Sequence, residues 1–369
     1  MGLKCGIIGL TNTGKTTIFN CISNNKAEVT NFAFSASKSN IGMINVPDDR
    51  LYEIDKYINS EKIVPATVDI VDLPGLAKGA NKGEGMGNKF LADVQQTDAL
   101  IHVLRCFDDD NLPHVESTID PVRDIELVNF ELQVRDLDLV ERKIQRLEKA
   151  AKSAGDKDAA KGIEVLTKYV DVLSNFGNAS DISVDQVLYE KYVRDLLLLT
   201  DKPTLYVCNV DDASAIDGNK YTEQVENYFK EKGKDIKPLL IAGKLESEIA
   251  EFDNMEDKMM FLSDAGLSEP GVNKMVRAAY DILNLQSFFT AGPKEVRAWT
   301  IKKGMTASEA AGVIHSDLER GFIRAEVMHY EDFITLKSEQ ACKEKGKLYI
   351  EGKNYVMQDG DIINVRFNV

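Results

Sequence analysis

"IIGLTNTGKTTIFN", residues Ile7 to Asn20, is the stretch whose reading decides the fold. Within it Gly9 and Gly14 bracket four residues ahead of Lys15 and Thr16, the G-x-x-x-x-G-K-[ST] spacing of a phosphate-binding loop. The spacing counts only in context, and the context agrees. Upstream, "LKCGIIG" is a short apolar run ending in glycine, the pattern of a buried strand; downstream, Ile18, Phe19 and Ile22 recur at helical intervals. Strand, glycine turn, helix is the order that aims backbone N–H groups at a phosphate. Those donors run through Asn12, Thr13, Gly14, Lys15, Thr16 and Thr17. The Lys15 side chain serves the β and γ phosphates, and the Thr16 hydroxyl serves Mg²⁺, a hard ion that prefers oxygen.

"ATVDIVDLPGL" (Ala66 to Leu76) reads as a second strand ending at Asp72, with Gly75 three residues on. In this D-x-x-G arrangement the carboxylate holds Mg²⁺ through water and the glycine N–H meets the γ-phosphate. Leu76 stands where comparable switches often carry a water-orienting glutamine, so hydrolysis must draw its polar group from elsewhere. The glycine-dense loop "KGANKGEGMGNKF" (Lys78 to Phe90) suits a segment that reorganises with the γ-phosphate, or a plain surface loop.

Further strands follow at Ala99 to Phe107, Thr204 to Val210 and Lys237 to Gly243. Strands alternating with helices imply an α/β fold with a mostly parallel sheet and ligands at the strands' carboxyl ends. The strand at 204–210 leads into "NVDD". Asn209 and Asp212 match a guanine reader of the N-K-x-D kind, but Val210 replaces its lysine. A carboxylate facing the base repels adenine N1, and one turned away leaves adenine acceptable; the sequence leaves both open. "IAGK" places the backbone of Ala242 and Gly243 where it can read a base edge.

Between about Pro121 and Lys202 the apolar residues Leu127, Phe130, Val134, Leu137, Val140, Ile144 and Leu147 keep three-and-four spacing. After "SAGDKD", Ile163, Leu166, Val170 and Leu173 repeat it, which predicts an antiparallel helical hairpin with a coiled-coil seam. It is either a self-contained arm or, through "ERKIQRLEKAAK", a contact for RNA or an acidic protein. Beyond Leu283 short strands at Val296 to Ile301, Gly321 to Tyr330 and Lys347 to Val369 predict a small β-plus-α domain, with a helix opened by a Thr306-to-Glu309 capping box. The expected division is 1–283 for the nucleotide-binding domain and 284–369 for the second.

A chain of 369 residues is long enough for two or three domains, and its net charge of −15 argues against a protein coated in nucleic acid. Five widely spaced cysteines with no C-x-x-C pair read as reduced, mostly buried thiols of a cytoplasmic protein. No apolar run approaches a membrane span and no leader pattern follows Met1, so no membrane partner is expected.

With these residues assembled, the chain resembles the YchF-type, Obg-related P-loop NTPases from end to end. The resemblance rests on "DLPGLAKGANKGEGMGNKF", "HVLRCFDDDN", "ESEIAEF", "NLQSFFTAGPKEVRAWT", "AAGVIHSDLERGFIRAEV" and "EGKNYVMQDGDII". It implies a Mg²⁺-dependent ATPase switch that accepts GTP less well and associates with ribosomes. The helical arm, or a C-terminal β-grasp module of the TGS type, would meet ribosomal RNA or tRNA. It also implies base contacts at Asn209 and Val210, and a catalytic role for His114 of "FDDDNLPHVES" in place of the missing glutamine. Two alternatives stand beside it: a GTP-preferring translational GTPase, and a nucleotide-gated binding module with little hydrolysis. The switch segment departs from the family pattern: "NFAFSASKSN" (Asn31 to Asn40) has Ala36 at the position of a metal-binding threonine, with Ser35 and Ser37 beside it.

Overall fold

The computed structural model describes residues 3–23, 40–75, 86–154, 156–252 and 254–368. Ser35, Ala36, Ser37, Leu76 and most of the loop from Lys78 lie outside the described residues. The described chain forms two compact units, one of residues 3–23, 40–42 and 69–272, the other of 43–68 and 273–368.

The first unit is built on a sheet in the order β2-β4-β1-β5-β6-β7. Its strands are β1 (Lys4–Ile8), β2 (Asn40–Asn45), β4 (Thr67–Asp72), β5 (Ala99–Cys106), β6 (Thr204–Val210) and β7 (Leu239–Ile241); the short β3 (Ile63–Val64) belongs to the other unit. β1 runs parallel to β4 on one side and to β5 on the other, and β5, β6 and β7 continue parallel. The register sets Ile7 opposite Asp72, so the D-x-x-G turn and the loop after β1 emerge at the same sheet edge. Every residue of β5 is buried, as a central strand covered on both faces requires.

Helices α1 (Lys15–Ser23), α2 (Asp49–Ile58), α3 (Met86–Gln95) and α4 (Pro121–Ala154) come next in chain order. α4 serves two cores. Its Val128 and Leu132 join Ile8, Leu10, Val71 and Leu100 against the sheet. About two turns beyond Leu132, Val140 packs with Val165, Leu166, Tyr169 and Leu173 of α5 (Lys157–Ser174). The break falls within "SAGDKD", where Asp156 caps α5 by accepting from the Asp158 and Ala159 N–H groups. The helical hairpin is therefore as expected, with one difference. Phe130, placed in the seam by its spacing, is 41% exposed, because this part of α4 turns Val128 and Leu132 inward instead. Between residues 179 and 201, a stretch for which the spacing made no prediction, the chain forms short 3₁₀ turns and α6 (Gln186–Tyr192). There Asp136 of α4 accepts from the Leu199 and Thr200 N–H groups and the Thr200 hydroxyl at 2.7–2.8 Å, tying the return of the arm to its outgoing helix.

α7 (Lys220–Glu231), α8 (Gly243–Glu251) and α9 (Met255–Asp264) complete the helices of the first unit, whereas α2 and all but the first two residues of α10 (Gly271–Ile282) belong to the second. None of the five cysteines forms a disulfide, and all are buried. No helix among the described residues is long and apolar enough to cross a membrane.

The second unit holds a mixed sheet, β11-β10-β12-β8-β9-β3, whose remaining strands are β8 (Leu285–Ala291), β9 (Val296–Lys302), β10 (Phe322–Met328), β11 (Tyr349–Glu351) and β12 (Ile362–Phe367). The sheet grips α11 (Ala307–Ile314), whose Ala307, Ala310 and Ala311 pack on Phe288, Ile301, Val327 and Ile363. Small residues let the helix lie close to the strands, giving the β-grasp arrangement. The Thr306 to Glu309 capping box forms as its spacing predicts. Residues 43–68 group here rather than with 1–283 because β3 pairs in parallel with β9 and α2 packs against β8 and β9. Arg50 of α2 is held between Asp48 and Asp359, both at 2.8 Å, and lies over the Phe289 ring.

Candidate nucleotide-binding site

Gly9 leaves β1 at φ 147°, and a Cβ there would stand 2.4 Å from the Val103 carbonyl oxygen of the neighbouring strand. Only glycine lets the loop turn so close to β5. Asn12 and Gly14 also have positive φ, and the loop closes as α1 begins at Lys15. The Thr13 hydroxyl and the Lys15 ammonium both donate to the Leu10 carbonyl, at 3.1 and 2.5 Å. Burial pushes the Lys15 ammonium down to about 8, against the opposing pull of Asp72. An oxygen-rich anion is the partner that would offset the burial of its charge.

The Thr16 hydroxyl donates to Asp72 Oδ2 at 3.1 Å, so the two expected Mg²⁺ residues meet across the cleft floor. Asp72 Oδ1 is buried with no hydrogen-bond partner among the described residues, and burial raises the carboxyl above its ordinary range despite Thr16 and Lys15. A buried carboxylate oxygen without a donor, beside a hydroxyl, fits a hard divalent cation. Gly75 crowds Thr11 and Lys15: a Cβ would come 3.1 Å from Thr11 Oγ1 and 3.3 Å from Lys15 Nζ.

These residues line a cleft of about 1050 Å³, together with Thr17, Phe107, Asp108, Asp109, Leu112, Asn209, Val210, Asp212, Gly243, Lys244 and Ser247. The volume suits a nucleoside triphosphate. Asn209 is 5% exposed, and both its amide nitrogen and its amide oxygen bond to protein. Nδ2 donates to the Thr13 carbonyl and Oδ1 accepts from Gly243 N–H, both at 2.9 Å. The side chain expected to touch the base thus braces the phosphate loop against the start of α8. Val210 is buried at the end of β6, and Ala242 is the residue before α8 with no side-chain cap. Asp212 is exposed, its Oδ2 3.9 Å from the Lys244 ammonium, and both line the cleft.

His114 is not brought to the cleft. Its side chain is 2% exposed, Nε2 lies 2.8 Å from Asp124 Oδ2, and Nδ1 accepts from Glu116 N–H at 3.1 Å. A histidine on a polar loop reads as solvated; the burial arises because the loop folds onto the first turn of α4. Arg105 escaped the sequence reading. It is 1% exposed and donates to the carbonyls of Phe107, Asp109 and Leu112, which shapes one wall of the cleft. The available signal was an arginine inside the otherwise apolar strand "ALIHVLRCF".

Two family models match the chain: one described as 50S ribosome-binding GTPase over residues 4–168, and YchF-GTPase_C, described as a protein of unknown function, over 285–368. Proteins named ribosome-binding ATPase YchF are 47% identical over 369 residues in Haemophilus ducreyi and 45% identical over 371 in Bacillus subtilis, each alignment covering 100% of both chains. The solved YchF GTPase of Schizosaccharomyces pombe matches with a TM-score of 0.88 at 31% identity, covering 99% of this chain and 98% of that one. Full-length identity at this level, on a fold that places Lys15, Thr16 and Asp72 around one cleft, means that the chain belongs to the YchF family of P-loop nucleoside triphosphatases.

Proposed function

We propose that this protein is a Mg²⁺-dependent switch that binds and hydrolyses ATP, accepts GTP less well, and associates with the ribosome; the relatives are named ribosome-binding ATPases, which supports the ATPase and ribosome parts of the reading. The observation that carries the reading is the Lys15, Thr16 and Asp72 cluster beneath Gly75, a cationic and oxygen-donor floor with one unpartnered carboxylate oxygen. Thr16 and Asp72 would hold Mg²⁺, whose chemistry when bound is to neutralise charge on the phosphate oxygens. Lys15 exchanges the Leu10 carbonyl for phosphate, and the loop N–H groups from Asn12 to Thr17 orient the chain of phosphates. His114 is proposed as the residue that orients the attacking water, which requires its loop to leave the position described above.

Adenine is favoured because Val210 offers no lysine stem to cover the base and Asp212 has Lys244 beside it to draw its carboxylate aside. The guanine reading rests on the same carboxylate, since Asp212 lines the cleft. The helical arm at about 121–202 and the TGS-type module at 284–369 are proposed as the surfaces that meet ribosomal RNA or tRNA. Calorimetry with non-hydrolysable ATP and GTP analogues, with and without Mg²⁺, tests the base choice: ATP should bind about tenfold tighter, a difference of about 1.4 kcal/mol. Tighter GTP binding overturns the ATPase reading. Adding Ala36→Thr to the series tests the switch: nucleotide binding that appears only when threonine is restored marks the binding-competent state as lost in this chain.

A further inference from the structure

The environment of His114 has the form of a seat built to hold the residue and to let it go. In the neutral ring Nδ1 must be the unprotonated nitrogen, because it accepts from Glu116 N–H, so Nε2 carries the proton and donates to Asp124 Oδ2. Both nitrogens are occupied, and neither can contact a water in the cleft. Asp124 is 1% exposed, and it does not depend on the imidazole for its partner: Arg123 donates to Oδ1 from Nε at 3.3 Å and from Nη2 at 3.1 Å. Departure of His114 therefore leaves no bare buried carboxylate, the circumstance that makes breaking a buried ion pair expensive. Arg123 in turn is fixed by the Thr118 hydroxyl and carbonyl at 2.8 and 2.7 Å, so the seat stays assembled. The residue next to the histidine is tied to the phosphate loop itself, where Asn12 Nδ2 donates to the Pro113 carbonyl at 3.1 Å. Asn12 sits at φ 64°, at the tip of the loop whose N–H groups turn toward phosphate.

We propose that Asp124, seated by Arg123, is a latch that holds His114 off the nucleotide cleft between turnovers, and that phosphate entering the loop at Asn12 releases it through Pro113. The latch rests on the proposed catalytic role of His114 and adds an inhibited resting state to it. A carboxylate that merely oriented the histidine for reaction would hold it at the cleft; this one holds it elsewhere with both nitrogens engaged.

Asp124→Asn keeps the size and one acceptor oxygen but removes the charge. In the full-length protein without ribosomes, it should raise kcat for ATP by about threefold or more at unchanged KM. The gain should vanish in the double variant with His114→Ala. Nitrogen-15 spectra supply the structural readout: the wild type should show the Nε2-protonated tautomer of His114, lost on adding Mg²⁺ and a non-hydrolysable ATP analogue, and already lost in Asp124→Asn without nucleotide. Asn12→Gly is a second variant, since it keeps the loop N–H, tolerates the positive φ and removes the side-chain tether; at an analogue concentration that saturates it, the His114 signal should stay as in the free protein. A slow Asp124→Asn, as impaired as His114→Ala, refutes the latch, and so does a His114 signal that shifts normally in Asn12→Gly. Wild-type turnover by His114→Ala refutes the catalytic reading itself, a result distinct from the other two.

Discussion

Truncating Asn209 separates a brace from a base contact. Asn209→Ala removes two hydrogen bonds of 2.9 Å and leaves the Gly243 N–H and the Thr13 carbonyl facing a space at a position 5% exposed to solvent. An unsatisfied buried polar group costs about 1–3 kcal/mol, and partial relaxation brings the pair to about 2–4 kcal/mol. For a unit of this size that loss lowers the melting temperature by roughly 5–10 °C. The same bonds hold the phosphate loop in its binding shape, so nucleotide must then order the loop itself and affinity falls by about tenfold, for ATP and GTP alike. Asn209→Asp sharpens the test: it keeps an acceptor for Gly243 N–H but sets a carboxylate oxygen against the Thr13 carbonyl, and should destabilise at least as much. Thermal unfolding and calorimetry on both variants decide the matter. If Asn209→Ala melts within about 1 °C of wild type yet loses affinity for one base only, the amide reads the base and the bracing argument fails.

Gly14→Ala should abolish measurable nucleotide binding by calorimetry, because φ is 92° and the new Cβ would stand 2.1 Å from Asn209 Nδ2. Gly233→Ala, at φ 66° with nothing within 4 Å of its Cβ, serves as the control and costs only about 1 kcal/mol of stability. Asp72→Asn should bind ATP with an affinity that no longer responds to Mg²⁺ or to chelator, while the wild type tightens with the ion. Asp136 predicts a pH dependence: burial lifts its carboxyl from 3.8 to about 6 in spite of three donors. The folded state therefore holds more protons than the unfolded state between those values. Stability falls as pH rises through the window, by about 3 kcal/mol in total. Asp136→Asn cannot titrate and should lose that slope in urea midpoints measured from pH 4 to 7.

Local chemistry carried much of the design into the sequence. Gly9, Gly14, Lys15 and Thr16 are legible because a phosphate loop must be contiguous: its donors are successive backbone N–H groups, and glycines stand where a Cβ would strike β5 or Asn209. Asp72 and Gly75 are legible for the same reason, since strand end and turn follow each other directly in the chain. The helical hairpin declares itself through spacing, and its break through the Asp156 cap. The sequence also carries the family, because long motifs repeat from end to end.

What the chain folds against was decided only in three dimensions. Residues 43–68 join the unit of the second sheet because the short strand β3 finds β9 more than two hundred residues away, a pairing that two residues of sequence cannot announce. Phe130 has the spacing of a seam residue, but periodicity gives no absolute phase where one helix passes from a sheet to a partner helix. Asn209 has the residue type of a base contact, yet its two partners come from positions 13 and 243 and claim both ends of its amide. His114 has the address of a loop residue and the surroundings of a core one, because Asp124 arrives on the first turn of the next helix. Residue type and spacing specify the chemistry a side chain can perform. Whether its atoms are free to perform it depends on partners supplied by other segments of the chain, and those the fold alone assigns.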